Sequence, residues 1–382
     1  MTEGSVIRIS KVESKADLKT FIRLVEAIYK DDPNWVKPLE MERLELLTPK
    51  TNPWFEHAKA QFWIAYRGGK PVGRISAQVC DMVQDLILKG LGQIGMYEAV
   101  DDPEISTALF ETAESWLKDQ GMDQVQGPYN LSVNSECGLL IDGFDMPPML
   151  MMGHARPYYA THFKAAGYSK AKDMYAYRLD ISRGMPPFVS RITRSGENNK
   201  RLVIRRINKR NYTAEVESFF EIFNESWSGN WGFLPFTDAE AAHAAKSMRP
   251  LIRDYMVRIC EYDGEPAAFM ITLPDVNSLI RDLDGKLLPF GWLKLLWRLS
   301  RGCTTGVRVP LMGVRKKYQD TRIGGTMAIS LIEHCRRAVV KRGGVWGELS
   351  WILEDNLGMR NILSQCGSKI YKTYRIYEKS LF

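Results

Sequence analysis

Almost nothing in this chain invites metal or disulfide chemistry. Six cysteines (Cys80, Cys137, Cys260, Cys303, Cys335 and Cys366) are scattered through 382 residues with no CxxC pair and no histidine at ligand spacing. Neither a zinc site nor a disulfide framework is expected, and the thiols read as reduced. Residues 1–14 mix Glu3, Arg8, Lys11 and Glu13 with few apolar side chains, which is not the apolar core of a secretory signal. Acid is scarce in one stretch above all. From Ile181 to Asn211, nine Lys or Arg face Glu197 alone, a surplus larger than the +7 of the whole chain. That strip reads as a solvated linker, an anionic lipid surface or a seat for cofactor phosphates. Nucleic acid ranks behind these, because only Phe188 and Tyr212, near its ends, supply aromatic rings for base stacking.

The rest is ordinary for a globular protein, at 45% hydrophobic and 25% charged residues. The length suits two domains, each with its own core. The last part reads as one module. A strand at 307–314 runs into a basic turn at 315–322, Gly324-Gly325 opens a helix ending near Arg342, and a second strand covers 346–353. Asn356, a short helix to Gln365 and a closing strand at 371–377 follow. Parallel strands joined through a helix place that helix's free N–H groups at a strand's carboxyl end, where anionic phosphates bind.

This layout resembles the C-terminal half of the GNAT superfamily, whose members move acyl groups from acyl-CoA to amines. In that family the turn reads Arg/Gln-x-x-Gly-x-Gly/Ala and its amides wrap the CoA pyrophosphate. Here Gln319 and Gly324 fit, while Arg322 stands in place of the middle glycine and must bend its fork toward the same oxygens. The resemblance implies an α/β fold (an α+β mixed sheet) of tandem GNAT-like domains. It implies acyl-CoA as co-substrate, no metal, and contacts from Met312, Val314, Arg315, Gln319, Arg322, Gly324, Gly325 and Asn356. The amides near Met312 and Val314 would hold the pantetheine arm and the carbonyl.

The first half repeats the outline: strand 6–12, helix 16–29, a hairpin of 61–66 and 72–79 across Gly68-Gly69, strand 93–100, helix 103–117 and strand 124–129. Its turn, Asp101-Asp102-Pro103-Glu104, would repel a pyrophosphate and lacks one amide donor. The expected division is a degenerate domain at 1–180 shaping the acceptor site, a basic linker at 181–201, and a CoA-binding domain at 202–382 with an apolar insertion at 274–306.

In that insertion, residues 287–301 are nearly all apolar, Trp292 among them, with Lys294, Arg298 and Arg301 along one narrow face. The stretch falls short of the ~20 residues that cross a bilayer. An in-plane interfacial helix, a core helix with snorkelling cations, and a cover for a long acyl chain all fit. Residues 127–159 combine Asn130, Asn134, Glu136 and Asp145 with a run of methionines, which suits a polar headgroup site beside an adaptable apolar wall. Trp231, Asp275 and Asn277 are second-half counterparts. For proton transfer, Glu348 is the first candidate base, with a charge pair to a nearby arginine as the competing role. His154 is the candidate titrating near neutrality. The tyrosine acid common in the superfamily is replaced by Leu363, so Tyr371 or Tyr374 would substitute, or CoA would leave as thiolate.

The runs GPYNLSVNSECGLLIDGFD, LPFGWLKLLW and SWILEDN are similar to a bacterial group of tandem GNAT-like proteins that includes the bacterial ceramide synthases. That similarity implies a fatty acyl-CoA donor and a long-chain amino alcohol or amino ketone acceptor, in the cytoplasm or peripheral on the inner face of the cytoplasmic membrane. The alternatives are transfer to a small amine, an amino acid or an aminoacyl-tRNA, and a non-catalytic acyl-CoA or lipid-binding protein.

Overall fold

Capping and alternation turn the sequence into helices and mixed β-sheet. The structure, a computed structural model, describes residues 6–302 and 304–382. Cys303 and the first five residues, on which part of the thiol and leader expectations rest, lie outside the described residues. The other five cysteines are buried thiols. Unit 1 takes the chain to Met174 together with Ile280–Leu288 and Lys372–Phe382, and unit 2 takes Tyr175–Leu279 and Pro289–Tyr371.

Unit 1 begins with β1 (Ile7–Lys11), α1 (Lys15–Arg23), α2 (Val25–Ile28) and α3 (Glu40–Leu46). Ser14 and Asp17 close a capping box at the start of α1, satisfying amides that the first turn leaves free. The hairpin of β2 (Ala58–Arg67) and β3 (Lys70–Cys80) turns through Gly68 and Gly69, both at positive φ, a backbone that glycine adopts without strain. Then come α4 (Asp81–Leu86), β4 (Leu91–Ala99), α5 (Pro103–Asp119), β5 (Gln124–Gly127), β6 (Leu139–Asp142), α6 (Tyr159–Ala165) and β7 (Ser169–Asp180), whose end enters unit 2. Strands β1 to β5 neighbour one another in order, antiparallel except for the parallel β4–β5 pair joined by α5.

Unit 2 continues with α7 (Pro187–Glu197), β8 (Leu202–Arg206), α8 (Tyr212–Trp227), α9 (Asp238–Met248), β9 (Val257–Tyr262), β10 (Glu265–Pro274), α10 (Val276–Ile280) and α11 (Gly291–Ser300). It ends with β11 (Gly306–Val314), α12 (Arg322–Val340), β12 (Trp346–Leu353), α13 (Leu357–Gln365) and the start of β13 (Lys369–Ser380). Its sheet runs β12-β11-β10-β9-β8. Val307 and Leu349 pack with Val339 of α12 and Leu363 of α13, so α12 covers one sheet face.

The domain plan read from the sequence differs from this division in three places. Residues 181–201 are not a solvated linker: they hold α7, whose Val189 is buried against Ile329 of α12 and Cys366. At Gly196 a Cβ would lie 2.9 Å from the Ser330 hydroxyl, so α7 and α12 approach closely. Much of the strip's charge is internally paired, Arg201 with Asp263, Arg205 with Glu215 and Glu261, and Arg206 with Asp254. The insertion is divided, its Ile280–Leu288 stretch joining unit 1, where the Gly285 carbonyl accepts from the Glu40 amide and Asp284 pairs with Lys37. Last, β13 does not close its own half alone. From Lys372 it belongs to unit 1, pairing with β5 from Tyr377↔Gly127 to Ser380↔Gln124 and with β6.

Candidate active site

In unit 2, β11 and β12 pair in parallel from Gly306↔Trp346 to Val309↔Leu349 and no further, although β11 runs on to Val314 and β12 to Leu353. The open stretch of β11 keeps its other edge on β10, with Met270↔Met312 and Ala268↔Val314 in register. The Arg315 amide donates to the Ala267 carbonyl, which makes these two pairs the non-hydrogen-bonded kind. The peptide groups of Met312 and Val314 therefore face away from β10, into the fork. Their carbonyls are taken, Met312 by the Trp227 indole N–H at 3.0 Å and Val314 by the Gln319 amide at 2.9 Å. Their N–H groups share that direction.

The turn above the fork is held by protein contacts. Gln319 also donates to the Ser226 carbonyl at 3.1 Å, and its own backbone N–H is bonded to Lys316. Arg315 pairs with Glu225 and Glu221 of α8 and donates to the Pro266 carbonyl. Gln319 and Arg315, two of the expected CoA contacts, thus have their donors engaged in setting the turn. Thr321 caps α12 by accepting from the Gly324 amide. Glycine is required at 324 because a Cβ would lie 2.0 Å from the Tyr318 carbonyl oxygen, whereas at Gly325 a Cβ would meet open space. Lys316, Lys317 and Arg322 are exposed around this helix N-terminus, leaving positive charge beside amides that attract anions. Asn356 caps α13 through the Met359 amide at 3.1 Å.

On the sheet face opposite α12 lies a buried polar cluster. Glu348, wholly enclosed, stands beside Arg308 in the parallel register, with its Oε1 3.3 Å from the guanidinium. Ser350 donates to that same oxygen at 2.5 Å and accepts from Arg308 Nε at 3.0 Å. Tyr371, half-buried at the end of unit 2's share of β13, donates its hydroxyl to Glu348 Oε2. Removing either charge of so buried a pair would leave the other uncompensated, at a cost of about 3–5 kcal/mol. Asp275, at the mouth of the insertion, feels the Glu348 charge, but burial is the larger influence raising its carboxyl above the usual range. It caps α10 through the Ser278 amide.

Of the residues expected at the site, Glu348, Tyr371 and Asp275 do gather. Tyr374 is three residues from Tyr371, faces the opposite side of β13, and is buried in unit 1. Asn277 and Trp231 are half-buried, and Trp292 lies exposed on α11. In unit 1, Glu136 accepts from Asn130 at 3.0 Å and from Arg43. Burial pushes the Glu136 carboxyl up, but Arg43 and Asn130 outweigh it and hold it below the usual range. Asn134 is half-buried and Asp145 exposed. The His154 ring is enclosed and bonded to Asp32 at 2.9 Å; burial lowers its proton affinity despite the carboxylate. Lys372, fully buried, ties down the methionine-rich loop through the Gly143 and Met146 carbonyls. Strand alternation places Ser350 on the face of Glu348 without giving it a role, and the arginine expected to pair with Glu348 was not identified as Arg308. Their signal was a lone arginine in an apolar strand and a serine two residues from Glu348.

The corresponding place in unit 1 is filled. Strands β4 and β5 pair from Leu91↔Gln124 to Gln93↔Gln126, after which the chain itself lies along β4. The Tyr129 amide donates to the Ile94 carbonyl at 2.7 Å, and the Asn130 side chain accepts the Met96 N–H at 2.8 Å. A Cβ at Gly95 would sit 1.7 Å from the Tyr129 carbonyl oxygen. At the N-terminus of α5, Asp102 caps two amides and Arg67 pairs with both Asp102 and Glu104.

No family model matches the sequence. Among solved structures, a tandem GNAT protein from the clavulanic acid biosynthesis pathway aligns with a TM-score of 0.58 at 12% identity, over 99% of both chains. A GCN5-related N-acetyltransferase from Sphaerobacter thermophilus aligns at 0.54 and 12% identity, over 98% of this chain and 96% of that one. The fold is that of the tandem GNAT proteins. In sequence, the bacterial ceramide synthase of Caulobacter vibrioides is 43% identical over 376 residues, 98% of each chain. Protein YghO of Escherichia coli is 44% identical over 371 residues, 96% of this chain and 94% of that protein. The chain belongs to the family of these two proteins and is an N-acyltransferase.

Proposed function

We propose that this chain transfers a fatty acyl group from acyl-CoA to the amine of a long-chain sphingoid-type base, forming a ceramide-type amide. The observation that carries the assignment is the Glu348–Tyr371 pair beside a strand fork into which the Met312 and Val314 N–H groups point. The 43% identity to a bacterial ceramide synthase supports the lipid acceptor. Unit 2 takes the CoA, with Lys316, Lys317 and Arg322 around the α12 N-terminus meeting its phosphates. Unit 1, whose fork is occupied by its own chain, offers no second opening for CoA.

In the reaction the amine nitrogen bonds to the thioester carbonyl carbon and the carbon–sulfur bond breaks. The N–H groups of Met312 and Val314 oppose the charge developing on the carbonyl oxygen. Glu348 is enclosed, so substrate reaches it through Tyr371: the hydroxyl passes its proton to Glu348 as it takes one from the amine. The proton returns by the same path to the departing thiolate, yielding free CoA. Arg308 and Ser350 hold the Glu348 carboxylate oriented.

The test mixes purified protein with a long-chain acyl-CoA and a sphingoid amine, following free thiol and amide product. Amine-dependent thiol release with amide formation is expected. Turnover only with short acyl donors or water-soluble amines would defeat the lipid assignment, and binding of acyl-CoA with no thiol release would defeat catalysis.

A further inference from the structure

The helix α11 is fastened along one side and bare along the other. Leu299 is buried, the Arg298 guanidinium donates to the Leu279 carbonyl, and Arg253 donates to the Leu299 carbonyl. On the outer side Trp292, Leu293, Leu296 and Trp297 are 42–57% exposed, with Phe290 at 72% just before the helix. At 3.6 residues per turn these four helical side chains cover about 140° of the circumference. Lys294 and Arg301 follow along one edge of that apolar arc, and the Arg301 guanidinium sits 4.7 Å over the Trp297 ring. No Asp or Glu occurs from Gly285 to Arg301, a stretch that carries Lys286, Lys294, Arg298 and Arg301. No helix among the described residues is long and apolar enough to cross a membrane.

We infer that α11 is an in-plane docking helix for an anionic phospholipid surface. Tryptophans and leucines enter the boundary between headgroups and acyl chains, while the bordering cations stay among the phosphates. The cationic edge selects this occupant: an acid-free stretch is drawn to a negatively charged leaflet, whereas a second copy of the same helix would bring like charges together. Docking there would present a site for lipid substrates at the surface where such substrates reside. The inference is independent of the acceptor's identity, because it concerns binding without turnover.

The experiment sediments the full-length protein with vesicles of phosphatidylcholine alone, and of phosphatidylcholine and phosphatidylglycerol in equal parts, with no acyl-CoA present. Binding to the anionic vesicles, a blue shift of tryptophan emission and weakening by salt are expected. Replacing both Trp292→Ser and Trp297→Ser should reduce partitioning by about 10-fold or more, with an unchanged circular dichroism melt. Lys294→Glu with Arg301→Glu should abolish the preference for anionic vesicles. Sedimentation unaffected by the double tryptophan change overturns the inference, as does wild-type protein that ignores vesicles but forms a dimer lost in that variant. If the variant fails to fold, quenching of wild-type fluorescence by brominated lipid decides: quenching supports insertion, and its absence refutes it.

Discussion

In unit 2 the strands β11 and β12 stop pairing after Val309 and Leu349, while in unit 1 the place beside β4 is occupied by residues 128–131. Both forks arise from a parallel strand pair joined by a helix, α12 in one case and α5 in the other. The difference lies in what satisfies the exposed backbone. Met96 gives its N–H to the Asn130 side chain, whereas Met312 and Val314 direct theirs into the opening. The helix starts follow the same division, since α5 opens among Asp102, Glu104 and Arg67, and α12 opens among lysines and an arginine. Duplicating a fold thus provides two equivalent places, and a few side chains decide which one keeps its donors for a substrate.

The comparison breaks most sharply at the buried cluster. Glu348→Gln, which keeps the shape but gives up the charge and one acceptor oxygen, should lower kcat by ~10²-fold or more while CoA affinity measured by calorimetry stays constant. Tyr371→Phe should fall in the same direction, and its full activity would remove the relay. Reversing charge at the α12 turn with Lys317→Glu and Arg322→Glu should raise KM for acyl-CoA by roughly 10-fold. The mirror change in unit 1, Asp101→Lys, should leave KM alone. Asn130→Ala exposes the Met96 amide to an empty, buried position, so unfolding in urea should show a loss of about 1–3 kcal/mol. One CoA should still bind per chain; a second equivalent bound by that variant would mean that unit 1 can be reopened.

The smallest expected effect distinguishes the units by pH. Burial lowers the proton affinity of His154 and His162 in unit 1 and of His334 in unit 2 below the ordinary 6.5. Each binds fewer protons folded than unfolded, so its stabilisation is complete above 6.5 and is lost as pH falls through the folded value. Tm should therefore drop on acidification below that point, and His154→Gln should flatten the slope more than a change at the more exposed His334.

Local pattern carried much of the fold. Strand β12 spans Trp346–Leu353 as its alternation predicts, and α5 begins at the Asp102-Pro103 signal. The GNAT resemblance drawn from the 319–325 turn and the runs near it holds, and Asn356, expected as a CoA contact, caps α13. Helix α7 was hidden because Pro186, Pro187 and five exposed polar side chains resemble a linker; only Val189, Thr193 and Gly196 are buried, at helical spacing. Glu348 could be singled out as a carboxylate among apolar neighbours, but its neighbour Arg308 could not. Their meeting depends on the register of two strands separated by the whole of α12, which no short window contains. The same holds for β13, whose exchange into unit 1 is a pairing between residues far apart in sequence.

That exchange has a consequence for how the protein is made. The ribosome delivers the front half first, yet the strand that pairs with β5 and β6 is encoded by residues 372–380. Until that strand has been made, unit 1 carries an unpaired inner edge, an aggregation hazard for a nascent chain. The front half should thus complete its folding only once that strand is available, and residues 1–174 expressed alone would present that edge permanently.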